Sequence, residues 1–149
     1  MSLQTELMLK LKEAMKSKDT LALESLRAVK SAILLAQTES GAKEELTEDQ
    51  ELKLVQKLVK QRKDSAVIFS EQGREDLAAP ELAQAKVISQ FLPEQMSDED
   101  VKKVILDIIS ASGAESMKDM GRVMGLASKQ LAGKADGKTI SVIVKSSLS

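Results

Sequence analysis

Residues 133–139, read as GKADGKT, come closest in this chain to a phosphate-binding loop. A P-loop needs four residues between its two glycines, then Lys and Ser or Thr, and it follows a strand. Only three residues separate Gly133 from Gly137 here, and the preceding apolar residues recur at helical spacing, so we reject a P-loop. Two interpretations remain. Either the backbone amides of the turn, beside Lys134 and Lys138, hold an anion, or the turn is a glycine helix end followed by an aspartate cap.

A cluster of basic residues surrounds this turn. Positions 117 to 149 contain six basic and two acidic residues, a local charge of +4, whereas the whole chain is at −1. The basic residues are Lys118, Arg122, Lys129, Lys134, Lys138 and Lys145. Such side chains contact nucleic-acid phosphates, but this stretch has no aromatic residue on which an unpaired base could stack. The pattern fits recognition of a folded RNA backbone, or a solvated basic face that keeps the protein soluble.

This chain lacks the residue types on which most catalytic chemistry depends. There is no Cys and no His, which excludes disulfides, zinc fingers, thiol nucleophiles and imidazole bases. Carboxylates are plentiful, but helix caps and exposed faces account for them, and no pair is identified as general acid and base. We predict no catalytic residue, no metal and no cofactor. The net charge of −1 also argues against a DNA-coating protein.

The third predicted helix has basic residues both on its polar side and on its apolar side. Its lysines at positions 53, 57, 60 and 63 share one side and are predicted to form a solvated stripe. Arg62 instead falls on the apolar side, between Val55 and Phe69, where an unpaired charge costs several kcal/mol. We therefore expect Arg62 to have a carboxylate partner or to lie at the edge between subdomains.

Apolar periodicity predicts an all-α, multihelical chain. The helices are expected at about 3–17, 20–40, 48–72, 76–91, 98–112, 117–131 and 137–148, with a surface loop at 40–46. A capping box of Thr47 and Gln50 is predicted to begin the third helix, and Gly113 to end the fifth. Pro80 is placed close to the first turn of the fourth helix. Because Pro93 interrupts the pattern, we predict a four-helix N-terminal subdomain at 1–93 and a helical tail subdomain of three or four helices at 94–149.

Two segments have more than one interpretation. Met117, Met120 and Met124 step toward Ala127 and Leu131 at helical spacing, so they are predicted to line one side of a helix, as core or as an adaptable contact surface. Residues 139–144 are rich in β-branched side chains and follow an Asp-Gly turn, which is typical of a hairpin strand. We still predict a helix there, because no partner strand is apparent in the chain.

Several short stretches carry a family resemblance. In the C-terminal part they are MGRVMG at 120–125, LAGKADGK at 131–138 and IVK at 143–145. Upstream, and in the same order, they are LRAVK at 26–30, KQRKDS at 60–65, GREDL at 73–77 and FLPEQMS at 91–97. Over nearly its whole length the chain resembles the GatB/YqeY family, which includes stand-alone YqeY-like proteins and the tail domain of the tRNA-dependent amidotransferase B subunit.

The resemblance implies the helical fold of this family and an association with transamidation. That enzyme converts misacylated glutamyl- or aspartyl-tRNA to its amide, with glutamine as nitrogen donor. Its tail helps to hold tRNA, while a larger catalytic cradle, which this chain lacks, handles ATP, magnesium and the reacting ester. We expect a tRNA-binding or tRNA-associated module, with the amidotransferase or translation components as further candidate partners. The alternatives are a carbon-nitrogen ligase that uses glutamine, and a protein-protein adaptor docked through its Met-rich helix.

The residues expected to act follow from this interpretation. Phosphate contacts are assigned to the six basic residues of the tail, with Gly133 and Gly137 shaping the turn. The matching stretches also contain residues to which the resemblance gives no role, namely Arg27, Lys30, Arg62, Asp64, Arg74 and Asp136. The first residues mix charges of both signs without a long apolar run, so we expect neither a secretory signal nor a membrane span, and a cytoplasmic protein.

Overall fold

The computed structural model describes residues 2–39 and 45–149, and every regular element in them is helical. In chain order these are α1 (Leu3–Ser17), α2 (Thr20–Glu39), α3 (Glu48–Glu71), α4 (Glu75–Ser89), α5 (Asp98–Ser112), a 3-10 helix (Met117–Asp119), α6 (Met120–Gln130) and α7 (Gly137–Leu148). The all-α prediction is confirmed, including a helix at residues 139–144. Residues 40–44 of the predicted loop lie outside the described residues.

Local hydrogen bonds explain where several helices begin and end. Before α3, the Thr47 hydroxyl accepts from the Gln50 amide at 3.2 Å and the Gln50 side chain accepts from the Thr47 amide at 2.9 Å, the predicted capping box. Before α5, the Ser97 hydroxyl accepts from the Asp100 amide at 3.2 Å. Gly113 ends α5 at φ 71°, in the left-handed region that favours glycine.

The described helices pack into two compact units, one extending to Leu92 and the other from Pro93 to Ser149. In the first, α1 packs on α2, while α4 packs along α3 and also contacts α2. In the second, α5, α6 and α7 pack pairwise around an aliphatic core. Whether these units fold as separate subdomains, as predicted for 1–93 and 94–149, stays a prediction.

Leu, Ile, Val and Ala build both cores, as a chain with two aromatic residues requires. The first unit buries Leu3, Leu7, Ala14, Leu26, Val29, Ile33, Val55, Val59, Ala85 and Ile88. The second buries Val101, Ile105, Ile108, Ala114, Val123, Ala127, Leu131, Ala135, Ile140, Val144 and Leu148. The second core draws on all three of its helices, so it fixes the positions of α6, α7 and the turn between them.

Pro80 lies inside α4 as the sixth residue of a helix that begins at Glu75, just beyond the first turn near which it was predicted. Proline has no N–H, so the helical partner of the Asp76 carbonyl is missing. Asp76 is exposed, which lets water supply that hydrogen bond.

None of the helices in the described ranges combines the length and the apolar character needed to cross a bilayer.

Candidate nucleic-acid interface

The segment before α6 is organised by Asp119. Its carboxylate accepts from the Glu115 amide at 3.0 Å and pairs with the Arg122 guanidinium at 3.2 Å. The Glu115 N–H is the largest cause that lowers the pKa of Asp119, and the positive charge of Arg122 contributes less. Ser116 caps the 3-10 helix by accepting from the Lys118 amide at 3.4 Å.

The predicted apolar side of α6 is confirmed from Met120 to Leu131 but not at Met117. Val123, Ala127 and Leu131 are buried, and the half-buried Met120 and Met124 pack against the same core. Met117 lies in the 3-10 helix and not in α6, and it is 41% exposed. Of the two interpretations of Met117, core residue and contact surface, this exposure contradicts the core.

The turn between α6 and α7 is closed by its own backbone. Gly133 has φ 76°, and the Lys134 amide donates to the Leu131 carbonyl at 2.9 Å. The Asp136 carboxylate then caps α7 by accepting from the Thr139 amide at 2.7 Å. These bonds occupy the amides of Lys134 and Thr139, so the structure favours the helix-end and cap interpretation of this turn over an anion cradle.

The same turn is held by the segment that precedes α5. The Gln95 side-chain amide donates to the Gly133 carbonyl at 2.7 Å, and the Met96 backbone amide donates to the Lys134 carbonyl at 3.0 Å. Sequence reasoning missed this role of Gln95. A single exposed amide side chain leaves no periodic signal, and only its place in the stretch FLPEQMS marked it.

The basic residues of this unit lie on surfaces turned away from its core. Arg122 and Lys129 are seven residues apart on α6, and Lys138 and Lys145 are seven apart on α7, so each pair shares one helix side at a spacing of about 10 Å. Lys134 lies in the turn between them. All five residues are exposed, as is Lys118 in the 3-10 helix.

The pairing of these charges decides how much of the cluster is available to an anion. Arg122 is paired with Asp119, whereas Lys118, Lys129, Lys134, Lys138 and Lys145 form no ion pair within residues 2–39 and 45–149. Lys138 is in the first turn of α7, where the helix dipole disfavours a cation by about 0.3–1 kcal/mol at an exposed position. A bound anion would remove that local cost.

The remaining residues of the family stretches belong to the N-terminal unit. Arg27 and Lys30 are exposed on α2, and Asp64 accepts from Lys60 at 2.7 Å on the outside of α3. All four lysines of the predicted stripe on α3 are exposed, which confirms that expectation. None of these residues belongs to the unit that contains α6 and α7.

Arg62 is half-buried. The first of its two predicted settings, a carboxylate partner, is wrong for the described part of the chain, and the second, the edge between subdomains, stays a prediction. Its Nε donates to the Gln84 side-chain oxygen at 3.1 Å and its Nη1 donates to the Leu58 carbonyl at 3.2 Å. Neutral acceptors satisfy the guanidinium here, because partial exposure leaves the rest of its charge to water. The charge therefore has a structural role between α3 and α4.

Arg74 is explained by its neighbour. Its Nε and Nη2 donate to the two oxygens of Asp76, each at 3.0 Å, at the start of α4. This bidentate pair raises the pKa of Arg74 and lowers the pKa of Asp76. In the ranges 2–39 and 45–149 no group of three or more acidic residues is placed to hold a metal ion.

The chain is similar in sequence to known proteins. The sequence model of the Yqey-like protein family matches residues 4–148. A yeast protein of Clavispora lusitaniae, described as "Altered inheritance of mitochondria protein 41, mitochondrial", is 32% identical over 111 residues. The match covers 73% of this chain and 64% of that protein, so this chain spans less than two thirds of its relative's length.

Proposed function

The chain belongs to the YqeY family, and on that premise we propose that it is an RNA-binding helical module that contacts the phosphates of folded RNA, tRNA first, through α6 and α7. The observation that carries the proposal is the set of five exposed lysines without an ion pair in the described part of the C-terminal unit. They lie within residues 117–149, which have a net charge of +4 in a chain whose net charge is −1.

Phosphates fit this surface better than bases do. Lysine ammonium groups contact phosphate oxygens as point charges, and each contact releases counterions from the nucleic acid. Residues 117–149 contain no aromatic side chain, so unpaired bases find no stacking platform there. The module would bind the backbone and shape of an RNA, and the choice of tRNA rests on the resemblance to the amidotransferase tail.

A carbon-nitrogen ligase remains the alternative of a different class. Active sites gather groups with strongly shifted pKa values in a cleft. Arg74, Asp76 and Asp119 have shifted pKa values, and each of them belongs to a surface ion pair and not to a cleft. No observation therefore favours the ligase over the RNA-binding module. Purified chain incubated with misacylated tRNA, ATP and glutamine would form amidated product if the ligase alternative were correct.

The location and the protein partners belong to the proposal as well. A cytoplasmic site of action is proposed together with the RNA-binding role. An association with the amidotransferase or with other translation components rests on the resemblance alone. Co-purification of the native protein with the amidotransferase subunits would support it.

The direct test is binding of fluorescently labelled, folded tRNA, followed by anisotropy. We expect Lys134→Ala combined with Lys138→Ala to weaken the affinity by about tenfold at moderate salt, because two phosphate contacts are lost. The matched control is Lys102→Ala combined with Lys103→Ala, which removes the same charge from exposed positions of α5 in the same unit. Absence of tRNA binding by the unmodified chain, or equal losses in both variants, would overturn the proposal.

A further inference from the structure

A groove between α1 and α2 belongs to the N-terminal unit. Its volume is about 250 Å³, and it is lined by Gln4, Leu7, Met8, Lys30, Ile33 and Leu34. Leu7 and Ile33 are buried members of the core, so they form its floor. Met8 and Leu34 are 52% and 53% exposed, which leaves large apolar side chains at its sides.

The polar border of this groove is basic. Lys30 lines it, and Arg27 lies on the same side of α2, three residues before Lys30 and seven before Leu34. Both cations are exposed, and neither forms an ion pair with another described residue. No acidic residue is among those that line the groove. The groove therefore favours a ligand that has carboxylates next to its apolar groups.

The size and side chains of the groove decide between classes of ligand. Pockets for small molecules usually have volumes of about 300–1,000 Å³ and enclose most of the ligand, so a groove of about 250 Å³ is small for that purpose. It can take one or two apolar side chains. A groove between two packed helices, with an exposed methionine on one and an exposed leucine on the other, is typical of surfaces that accept an amphipathic helix, because methionine adapts to the shape of its partner.

From these observations we propose that the groove between α1 and α2 binds an amphipathic helix of a partner protein. Its apolar residues contact Met8 and Leu34, and its carboxylates pair with Lys30 and Arg27. Charge complementarity selects the partner helix, since a basic helix would place like charges against the same two residues. The inference is separate from the RNA-binding proposal, because its residues belong to the N-terminal unit.

The test uses the full chain and two short fluorescent helical peptides. Both peptides carry leucines three, four and seven residues apart, and they differ only in having Glu or Lys beside that apolar side. We expect the acidic peptide to bind at least about tenfold more tightly than the basic one, and Lys30→Glu combined with Arg27→Glu to reverse that preference. Equal affinities, or no binding of the acidic peptide, would overturn the proposal.

Leu34→Glu tests the apolar part of the groove. We expect this substitution to lower the affinity for the acidic peptide by about tenfold, since it removes one apolar contact and adds a charge of the same sign as the peptide. Leu35→Glu is the matched control, because Leu35 is 60% exposed on the same helix and does not line the groove. Circular dichroism checks that both variants fold. If Leu34→Glu does not fold, the combined Lys30→Glu and Arg27→Glu variant tests the proposal in its place. A loss of tRNA binding in the groove variants without any peptide preference would assign the groove to RNA and contradict the proposal.

Discussion

The Gln95 side chain donates its amide to the Gly133 carbonyl at 2.7 Å, so a residue before α5 holds the turn that joins α6 to α7. The Met96 amide adds a second bond to the neighbouring Lys134 carbonyl at 3.0 Å. The two accepting carbonyls, of Gly133 and Lys134, belong to the peptide groups on either side of the Lys134 Cα. The position of that lysine between the basic residues of α6 and α7 thus depends on a segment distant in sequence.

Gln95→Ala should lower the free energy of unfolding by about 1 kcal/mol, the net value of one hydrogen bond of this kind. Glu94→Ala, the control, removes a neighbouring exposed side chain for which no hydrogen bond is present among the described residues. Urea denaturation of both variants measures the difference. Equal stabilities would show that the bond from Gln95 adds nothing in solution.

Two glycines should respond in opposite directions to alanine. Gly125 is inside α6 with no atom within 4 Å of an added Cβ, so Gly125→Ala should stabilise the chain by about 0.4–1 kcal/mol. Gly113 has equal space but φ 71°, so Gly113→Ala should destabilise it by about 1–2 kcal/mol. Thermal unfolding compares the two, and a stabilising Gly113→Ala would contradict the left-handed end of α5.

Arg62 and Gln84 should be energetically coupled. Gln84→Leu leaves the half-buried Arg62 guanidinium with the Leu58 carbonyl as its remaining partner, and we expect a loss of about 1–2 kcal/mol. Arg62→Met removes the group that needs the bond. The double variant should lose less stability than the sum of the two single losses, by at least about 0.5 kcal/mol. Strict additivity in denaturation experiments would mean that the bond between α3 and α4 is not formed.

Asp119 should titrate below the ordinary aspartate pKa of about 3.9. Because its pKa is lower in the folded state, the ionised carboxylate stabilises the fold above the unfolded pKa, and that contribution is lost as the pH falls through the folded pKa. The largest cause is the Glu115 N–H, so Arg122→Gln should leave most of the lowering in place. NMR titration of the carboxyl carbon checks this, and an ordinary pKa in Arg122→Gln would assign the effect to the ion pair instead.

Much of the fold was predictable because its signals are local. The capping box at Thr47 and Gln50 and the glycine at position 113 act within a few residues, and the structure has both where the sequence placed them. The helical state of residues 139–144 needed one tertiary argument, namely that no partner strand is apparent in the sequence. The Asp136 cap and the buried Ile140 and Val144 show what stabilises the helix against its strand propensity.

What the sequence did not predict depends on contacts between elements. Met117 is exposed in the 3-10 helix before α6, whereas Val123, which the sequence did not single out, is fully buried on the same helix side as Ala127. Arg62 is bonded to an amide of α4, a partner 22 residues away that no pattern indicates. At the candidate site the exposure of the lysines followed from helical spacing, but the bonds from Gln95 and Met96 that hold the turn did not.

The central claim is that α6, α7 and their turn bind RNA phosphates, and the salt dependence of tRNA binding tests it most directly. The decisive variant replaces Lys129, Lys134, Lys138 and Lys145 by Gln. Each lost phosphate contact lowers the slope of log affinity against log salt by about 0.7–0.9, so the slope should fall by about 3.

The control replaces the exposed lysines of α3, at positions 53, 57, 60 and 63, which changes the net charge by the same amount. We predict that this control keeps a slope close to that of the unmodified chain. A slope that falls equally in both variants, or in neither, would contradict the claim that the lysines of α6, α7 and their turn contact the RNA.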